Sequence, residues 1–144
     1  MENPNPKSLM AAFHFQRALS LVHRTASKSS RAVRGRRIQC AAYASMAYSA
    51  GPRRAWSRAL LRRLRRAARR RQPRAGWRRR AAAGAGAASR VATGAAGLRR
   101  LVPGGGGMDY CSLLEETADY IKCLSVQVKL MQSIADSASL CGQL

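Results

Sequence analysis

The stretch that most constrains this chain is residues 98–132, which has the pattern of a helix end, a glycine loop and a second long helix. Pro103 ends the first helix, because proline has no N–H to donate and disfavours helical backbone in the residue before it. Residues 104–107 are consecutive glycines and predict a loop. Asp109 then stands where the second helix needs an N-cap, since its carboxylate can accept from unpaired backbone N–H groups. The stretch therefore predicts a helix-loop-helix hairpin.

The second helix carries an apolar seam with a seven-residue repeat. Leu114, Ile121 and Val128 occupy the first (a) position of the repeat, and Leu124 and Met131 follow at the fourth (d) position. A seam of this kind needs a partner helix to cover it. The predicted pairing surface takes residues from both helices of the hairpin: Leu98, Leu101, Val102, Leu114, Ile121, Leu124, Val128 and Met131.

Charge is divided unevenly along the chain. Residues 108–144 carry two lysines and five carboxylates, a net charge of −3, so residues 1–107 carry +24 within a whole-chain total of +21. This imbalance predicts an acidic partner, of which nucleic acid is the commonest. Self-repulsion and few aromatic residues also argue against a compact N-terminal core. We therefore expect the region before the hairpin to be largely disordered or weakly helical.

Within this basic region, apolar spacing predicts helices at about 9–23, 38–49 and 53–70, with a Ser/Arg-rich linker at 25–37. Gly51 and Pro52 together form a stop signal after the second of these helices. The third is amphipathic and basic. Such a helix can lie on anionic lipid, bind an acidic protein groove or follow phosphates, or it can simply be a solvated face.

The arginine-rich run at 62–74 has the composition of a nuclear-import signal and of a phosphate-contacting segment. The two tryptophans that flank it, Trp56 and Trp77, could stack on unpaired bases. The residues predicted to carry import or phosphate contact are Arg62, Arg63, Arg65, Arg66, Arg69, Arg70 and Arg71.

Several classes of function find no support in the sequence. The four cysteines lack CxxC spacing and paired histidines, which argues against zinc, and we interpret them as reduced thiols. No nucleophile constellation, acid/base pair or phosphate loop is present, so we expect neither an enzyme, nor a cofactor, nor a small-molecule substrate. No apolar run approaches a membrane span, and no secretory signal is found at the N-terminus.

The order of motifs in the hairpin resembles the dimerisation half of a basic helix-loop-helix (bHLH) protein. The matching strings are L-R-R-L-V-P at 98–103, D-x-x-S-L-L-E-E at 109–116 and D-Y-I-K-x-L at 119–124. The resemblance implies an all-α fold in which two hairpins pair as a parallel four-helix bundle with a short coiled-coil extension. It also implies that the partners are other HLH or bHLH proteins.

The positions that read DNA in this family depart from its pattern. DNA-binding members carry a His/Asn-x-x-x-Glu-Arg-x-Arg-Arg pattern in a basic region continuous with the first helix. Tyr110 stands where the family has a phosphate-contacting lysine. The degenerate reading positions, counted back from Pro103 without gaps, are Arg80, Gly84, Ala85, Ala87 and Ala88.

This combination resembles the plant atypical bHLH regulators, and within them the group that binds the small increased-leaf-inclination HLH proteins. The further matching strings are R-R-x-x-x-A-A-Y-A-S-M-A at 36–47 and G-P-R-R-A-W-S-R-A-L-L at 51–61. The resemblance implies a nuclear regulator that heterodimerises, blocks its partner's DNA binding and restrains cell elongation in brassinosteroid-type signalling. The alternative is a nucleic-acid-binding protein that contacts phosphates through its arginines. Weak non-specific nucleic-acid binding is also expected beside the leading function.

The predicted organisation has five parts. They are a tail with a short helix (1–30), a basic helical and arginine-rich region (31–80), an Ala/Gly-rich degenerate basic region that begins helix 1 (81–97), the helix-loop-helix (98–136) and a tail (137–144). Four glycines at 81–97 each cost about 1 kcal/mol relative to alanine in a helix. We therefore expect residues 81–102 to be helical only in a complex.

Overall fold

In a computed structural model, which describes residues 6–25, 28–70 and 90–141, the chain forms five α-helices. They are α1 (Pro6–Thr25), α2 (Arg31–Ala50), α3 (Ala55–Arg69), α4 (Arg90–Leu101) and α5 (Tyr110–Cys141). These ranges contain no strand, and the predicted all-α fold with a helix-loop-helix hairpin is confirmed. None of the described helices is long and apolar enough to cross a membrane.

The N-terminal region is more ordered than its charge predicts. Three full helices replace the largely disordered or weakly helical region, and α2 begins at Arg31, inside the expected 25–37 linker. Ser30 caps α2, since its hydroxyl accepts from the Val33 N–H at 3.4 Å. The arginines of the first turns are good helix formers with exposed side chains, so they are compatible with a helix.

Two hydrogen bonds to the Ala47 carbonyl stabilise the turn between α2 and α3. Gly51 adopts a positive φ of 82° and its N–H donates to the Ala47 carbonyl at 3.2 Å, so the predicted stop signal is confirmed. The buried Ser57 hydroxyl of α3 donates to the same carbonyl at 2.7 Å. The two bonds fix the start of α3 against the end of α2.

The loop between α4 and α5 is closed by a 3-10 turn at Gly105–Gly107. Gly104 is left-handed, with φ of 78°, and Arg99 Nη1 donates to the Gly105 carbonyl at 3.2 Å and to the Met108 carbonyl. Asp109 caps α5 as predicted, accepting from the Ser112 N–H at 3.1 Å. Hydrogen bonds from Ser112 hold the pKa of this carboxyl below its ordinary value.

One core joins the N-terminal helices to the hairpin. Its buried members come from α2, α3, the end of α4 and α5: Met46, Ala47, Trp56, Leu60, Val102 and Leu113. Leu98 of α4 packs against this core, which explains why α4 is helical within the single chain rather than only in a complex. Residues 81–89 of that expectation lie outside the described ranges.

Candidate pairing surface

Helix α5 has two apolar flanks that differ in exposure. The buried flank lies along the d positions and the g positions, where g is the residue directly before each a position. The g-position residues Leu113 and Gln127 are 0% and 3% exposed. The other flank is the a position, where Leu114, Ile121 and Val128 are 43%, 55% and 51% exposed. Large apolar side chains repeating every seven residues on a free helix face are typical of a surface that another helix covers.

The predicted pairing residues are divided between the core and this exposed stripe. Leu98 and Val102 lie in or against the core, whereas Leu101 at the end of α4 is 74% exposed. Leu124 and Met131 are half-buried and line an apolar cavity with α2. The a-position residues described above are the exposed remainder. The structure of the single chain thus separates a and d positions that the sequence places in one seam.

Two depressions flank the C-terminal part of the seam. A cavity of about 220 Å³ between α2 and α5 is lined almost entirely by apolar atoms, with Ile38, Tyr43 and Met131 among its walls. A shallower depression of about 400 Å³ lies beside Ile121 and Lys129. Leu124 and Val128 belong to both linings. Apolar side chains of a second helix have room on either side of these two residues.

A polar clamp attaches the start of α3 to α5. Trp56 is fully buried, its indole Nε1 donates to Asp119 Oδ2 at 3.0 Å, and its backbone N–H donates to Glu116 Oε2 at 3.0 Å. Arg54 stands at the N-cap of α3 but supplies no side-chain cap bond. Glu116 therefore caps α3 from another helix, at the end where the dipole favours a negative charge.

Two further contacts complete this clamp. Arg54 Nε lies 3.3 Å from Asp119 Oδ2, and its Nη1 lies 3.9 Å from Glu116 Oε1. The Trp56 and Tyr120 rings approach with centroids 5.0 Å apart. Burial is also the main reason that the pKa of the Tyr120 hydroxyl is raised. The side chains of the clamp are thus partly or fully withdrawn from water, where charged hydrogen bonds contribute most.

The contact between α2 and α5 includes one pair of buried polar side chains, Ser45 and Gln127, whose hydrogen-bonding groups are only partly paired. Ser45 Oγ donates to the Ala42 carbonyl at 2.9 Å and lies 3.4 Å from Gln127 Oε1. Gln127 Nε2 is buried without a hydrogen-bond partner among the described residues. A buried donor of this kind costs about 1–3 kcal/mol. This side of the interface is therefore less well matched than the Trp56 side.

The thiol of Cys123 lies on the same interface. It is half-buried and lines a cavity with Lys7 and Ala11 of α1 and Met46 of α2. Burial is the first cause, and the nearby Asp119 carboxylate the second, of a raised pKa for this thiol. Cys40, Cys111 and Cys141 are exposed. No cluster of potential metal ligands occurs in the described ranges.

The arginine side chains of α3 beyond its first turns point to solvent. Of the predicted import or phosphate-contacting residues, those exposed on or just after α3 are Arg62, Arg63, Arg65, Arg66, Arg69 and Arg70. Residues 6–70 contain no aspartate or glutamate, so no acid within that range neutralises them. The remaining predicted residues fall outside the described ranges: Arg71, Arg80, Gly84, Ala85, Ala87 and Ala88.

Sequence reasoning missed the clamp and the buried flank of α5. Under the nucleic-acid-binding alternative, Trp56 could stack on unpaired bases, but its ring is in the core. A sequence signal for the clamp was available. Glu116 and Asp119 stand three residues apart on one helix face, and they are acidic in a chain whose N-terminal half has almost only basic residues among its charged ones. Gln127 carried no such signal, since a glutamine in a helix is ordinarily exposed.

Comparison with known proteins supports a role in transcription. The profile of the IBH1-like N-terminal domain family matches residues 12–68, which cover most of α1 to α3. Proteins named Transcription factor IBH1 from Oryza sativa subsp. indica and subsp. japonica are each 48% identical over 158 residues, covering 88% of this chain and 77% of the relative. No solved structure matches the chain significantly. The chain belongs to the IBH1 family of plant transcription regulators.

Proposed function

We propose that this regulator acts by pairing, through α5, with another helix-loop-helix protein and thereby blocks the partner's binding to DNA. The observation that carries the proposal is the exposed seven-residue stripe of Leu114, Ile121 and Val128. Large apolar side chains at this regular spacing along one face of a helix are favourable when another surface covers them. A helix with a matching apolar seam is the surface that fits this spacing.

The chain lacks the residues that would let such a pair bind DNA in the usual way. A bHLH dimer reads one half-site with each basic region. Gly84 stands at the position of the cytosine-contacting glutamate, and Ala85 at the first arginine position after it. Each good bidentate base contact is worth about 1–3 kcal/mol, so a pair with one reading arm loses a large part of its specific affinity.

The family resemblance also supports a proposed cellular location and a proposed role in signalling. We place the chain in the nucleus, where its partners bind DNA, with the arginine run from Arg62 to Arg71 as the import signal. The group that it resembles restrains cell elongation in brassinosteroid-type signalling, and we propose the same negative role here. The 48% identity to Transcription factor IBH1 supports this proposal.

A gel-shift titration tests the proposed function. The full chain is added to a DNA-binding plant bHLH protein on a duplex that contains its E-box, and pairing is measured in parallel by co-purification. Ile121→Asp places a carboxylate at the centre of the stripe, where an unpaired charge would be buried on pairing. We expect this substitution to abolish both pairing and inhibition.

The matched control is Ser133→Asp, which adds the same charge to an exposed site on the polar side of α5. We expect it to leave pairing and inhibition unchanged. Equal loss in both variants would indicate a general effect of charge on α5. Inhibition that persists at full strength after pairing is lost would contradict the pairing mechanism.

The arginines on and just after α3 support a second candidate function, direct contact with nucleic-acid phosphates. Six of them are exposed, and residues 6–70 contain no acidic residue to pair with them. Such contacts bring electrostatic affinity but no sequence information. Under this candidate, persistent inhibition by the Ile121→Asp variant would come from competition for the DNA itself.

A further inference from the structure

We infer that α2 and α3 cover part of the pairing surface within the free chain, so that an HLH protein must displace them to pair fully. The inference rests on the proposed function, because it concerns how the pairing surface becomes available. It assigns the N-terminal helices the role of an internal competitor. The chain would then exist in a closed form, which is the one described above, and an open form that pairs.

The composition of the core is the first support. In a paired bHLH bundle, the apolar residues of helix 1 and helix 2 face a second hairpin. Here Val102 and Leu113 of the α4–α5 hairpin are buried together with Met46, Trp56 and Leu60 of α2 and α3. Four helices thus share one core inside a single chain, and the second pair of helices is supplied by the α2–α3 hairpin.

The position of the loop is the second support. A Cβ atom built on Gly104, in the loop between α4 and α5, would lie 2.9 Å from Ala59 Cβ of α3. Helix α3 therefore packs directly on the corner of the hairpin, and its contact is close enough to exclude other atoms. No helix of a partner can reach that corner while α3 remains there.

The division of the seam is the third support. Two-stranded pairing through a seven-residue repeat uses the a and d positions together. The d-position Thr117 is 8% exposed, and the d-position residues Leu124 and Met131 are half-buried beside α2. The a positions are more exposed than the d positions in the closed form. A partner can contact them first, but the full seam requires α2 to leave.

The clamp that holds the closed form lies outside the seam. Glu116 and Asp119 occupy the third and sixth positions of the repeat, which a paired helix does not cover. Their contacts with Trp56 and Arg54 join α3 to α5. The closed form can therefore be weakened by substitutions that leave every apolar residue of the seam in place.

The test compares the affinities of full-length chains for DNA-binding plant bHLH proteins. The double variant Glu116→Gln/Asp119→Asn keeps the side-chain shapes and removes the charged acceptors. Apparent affinity scales with the populated fraction of the competent form. We expect about tenfold tighter pairing, equivalent to about 1.4 kcal/mol. Trp56→Phe, which lies outside the hairpin, should act in the same direction.

Cys123 reports opening without any substitution. Its thiol lines a cavity with α1 and α2 and stands at the third position of the repeat, which a partner leaves uncovered. We expect its alkylation rate, followed by peptide mass spectrometry, to rise several-fold when the partner binds. The exposed Cys40 of α2 serves as the reference thiol. In the affinity comparison, Asp136→Asn is the control for the loss of a carboxylate from α5.

The outcomes separate the two proposals. Pairing that leaves Cys123 protected, with the double variant no tighter than Asp136→Asn, would overturn the internal competitor while the proposed function stands. If neither the wild type nor the double variant pairs with bHLH proteins, the proposed function fails and this inference fails with it. Tighter pairing together with faster Cys123 alkylation supports both.

Discussion

Trp56 joins α3 to α5 by donating hydrogen bonds to two carboxylates, those of Glu116 and Asp119. Trp56→Phe keeps an aromatic ring beside Tyr120 but removes the indole N–H that donates to Asp119 at 3.0 Å. We expect the free energy of unfolding to fall by about 1–2 kcal/mol, because the acceptor is charged and mostly withdrawn from water. Urea denaturation followed by circular dichroism measures the change.

Trp56→Ala is the comparison for this prediction. It also removes the buried ring and should cost about 3–5 kcal/mol. If Trp56→Phe were as stable as the wild type, the bond from the indole N–H to Asp119 would contribute nothing, and the clamp would depend on its remaining contacts. That result would also weaken the expected effect of Trp56→Phe on pairing.

Single residues were predictable from sequence where local geometry decides their role. The Asp109 cap and the Gly51 stop depend on a few neighbouring backbone groups, and both predictions are confirmed. Trp56 and Gln127 are different, because their contacts lie 60 or more residues away along the chain. No local pattern specifies such a partner, so their roles became evident only with the fold.

At the scale of elements, Gly104 of the α4–α5 loop combines a left-handed backbone with a close contact to α3. Gly104 has a φ of 78°, and an added Cβ would meet Ala59 Cβ at 2.9 Å. We expect Gly104→Ala to lower the free energy of unfolding by about 1–3 kcal/mol through overpacking, with left-handed backbone strain in the same direction. Thermal or urea unfolding of the full chain measures it.

Gly106→Ala is the matched control in the same loop, since nothing lies within 4 Å of its added Cβ. It should be close to neutral or slightly stabilising, because alanine restricts the unfolded chain. Equal destabilisation by the two substitutions would show that the loop responds to lost flexibility rather than to the contact with α3.

Helix α5 shows why the hairpin could be predicted from sequence but its packing could not. The seven-residue repeat correctly indicated a long helix with an apolar face. That face is wide, because apolar residues occupy a, d and part of g, with Leu113 at a g position. The sequence does not say which part faces its own chain. That choice depends on α2 and α3, whose arginine-rich composition predicted disorder rather than a packing partner.

At the scale of the whole molecule, the strongly basic residues 1–107 can bind nucleic-acid phosphates, whereas the acidic residues 108–144 cannot. We expect the full chain to bind an E-box duplex and a scrambled duplex equally, because exposed arginines contact phosphates and the reading positions hold no base-reading set. Affinity for both should fall steeply with salt, with a slope of about −0.9 per phosphate neutralised. Fluorescence anisotropy at several salt concentrations measures both quantities.

Substituting Arg62, Arg65 and Arg69 together by glutamine provides the companion variant. These exposed arginines of α3 lie outside the core, so the fold should persist. Binding to both duplexes should weaken equally, and the salt slope should become shallower. A tenfold preference for the E-box, about 1.4 kcal/mol, would contradict the prediction and reveal base reading by this chain.

The cap that Glu116 provides for α3 has a consequence for the order of synthesis. The carboxylate and the Trp56 N–H that it accepts from are 60 residues apart in sequence. At about 5–20 residues per second, the ribosome adds Glu116 roughly 3–12 s after Trp56. During that interval the nascent chain exposes an arginine-rich helix whose first turn lacks its acceptor. The N-terminal helices therefore reach their final arrangement only after α5 has emerged.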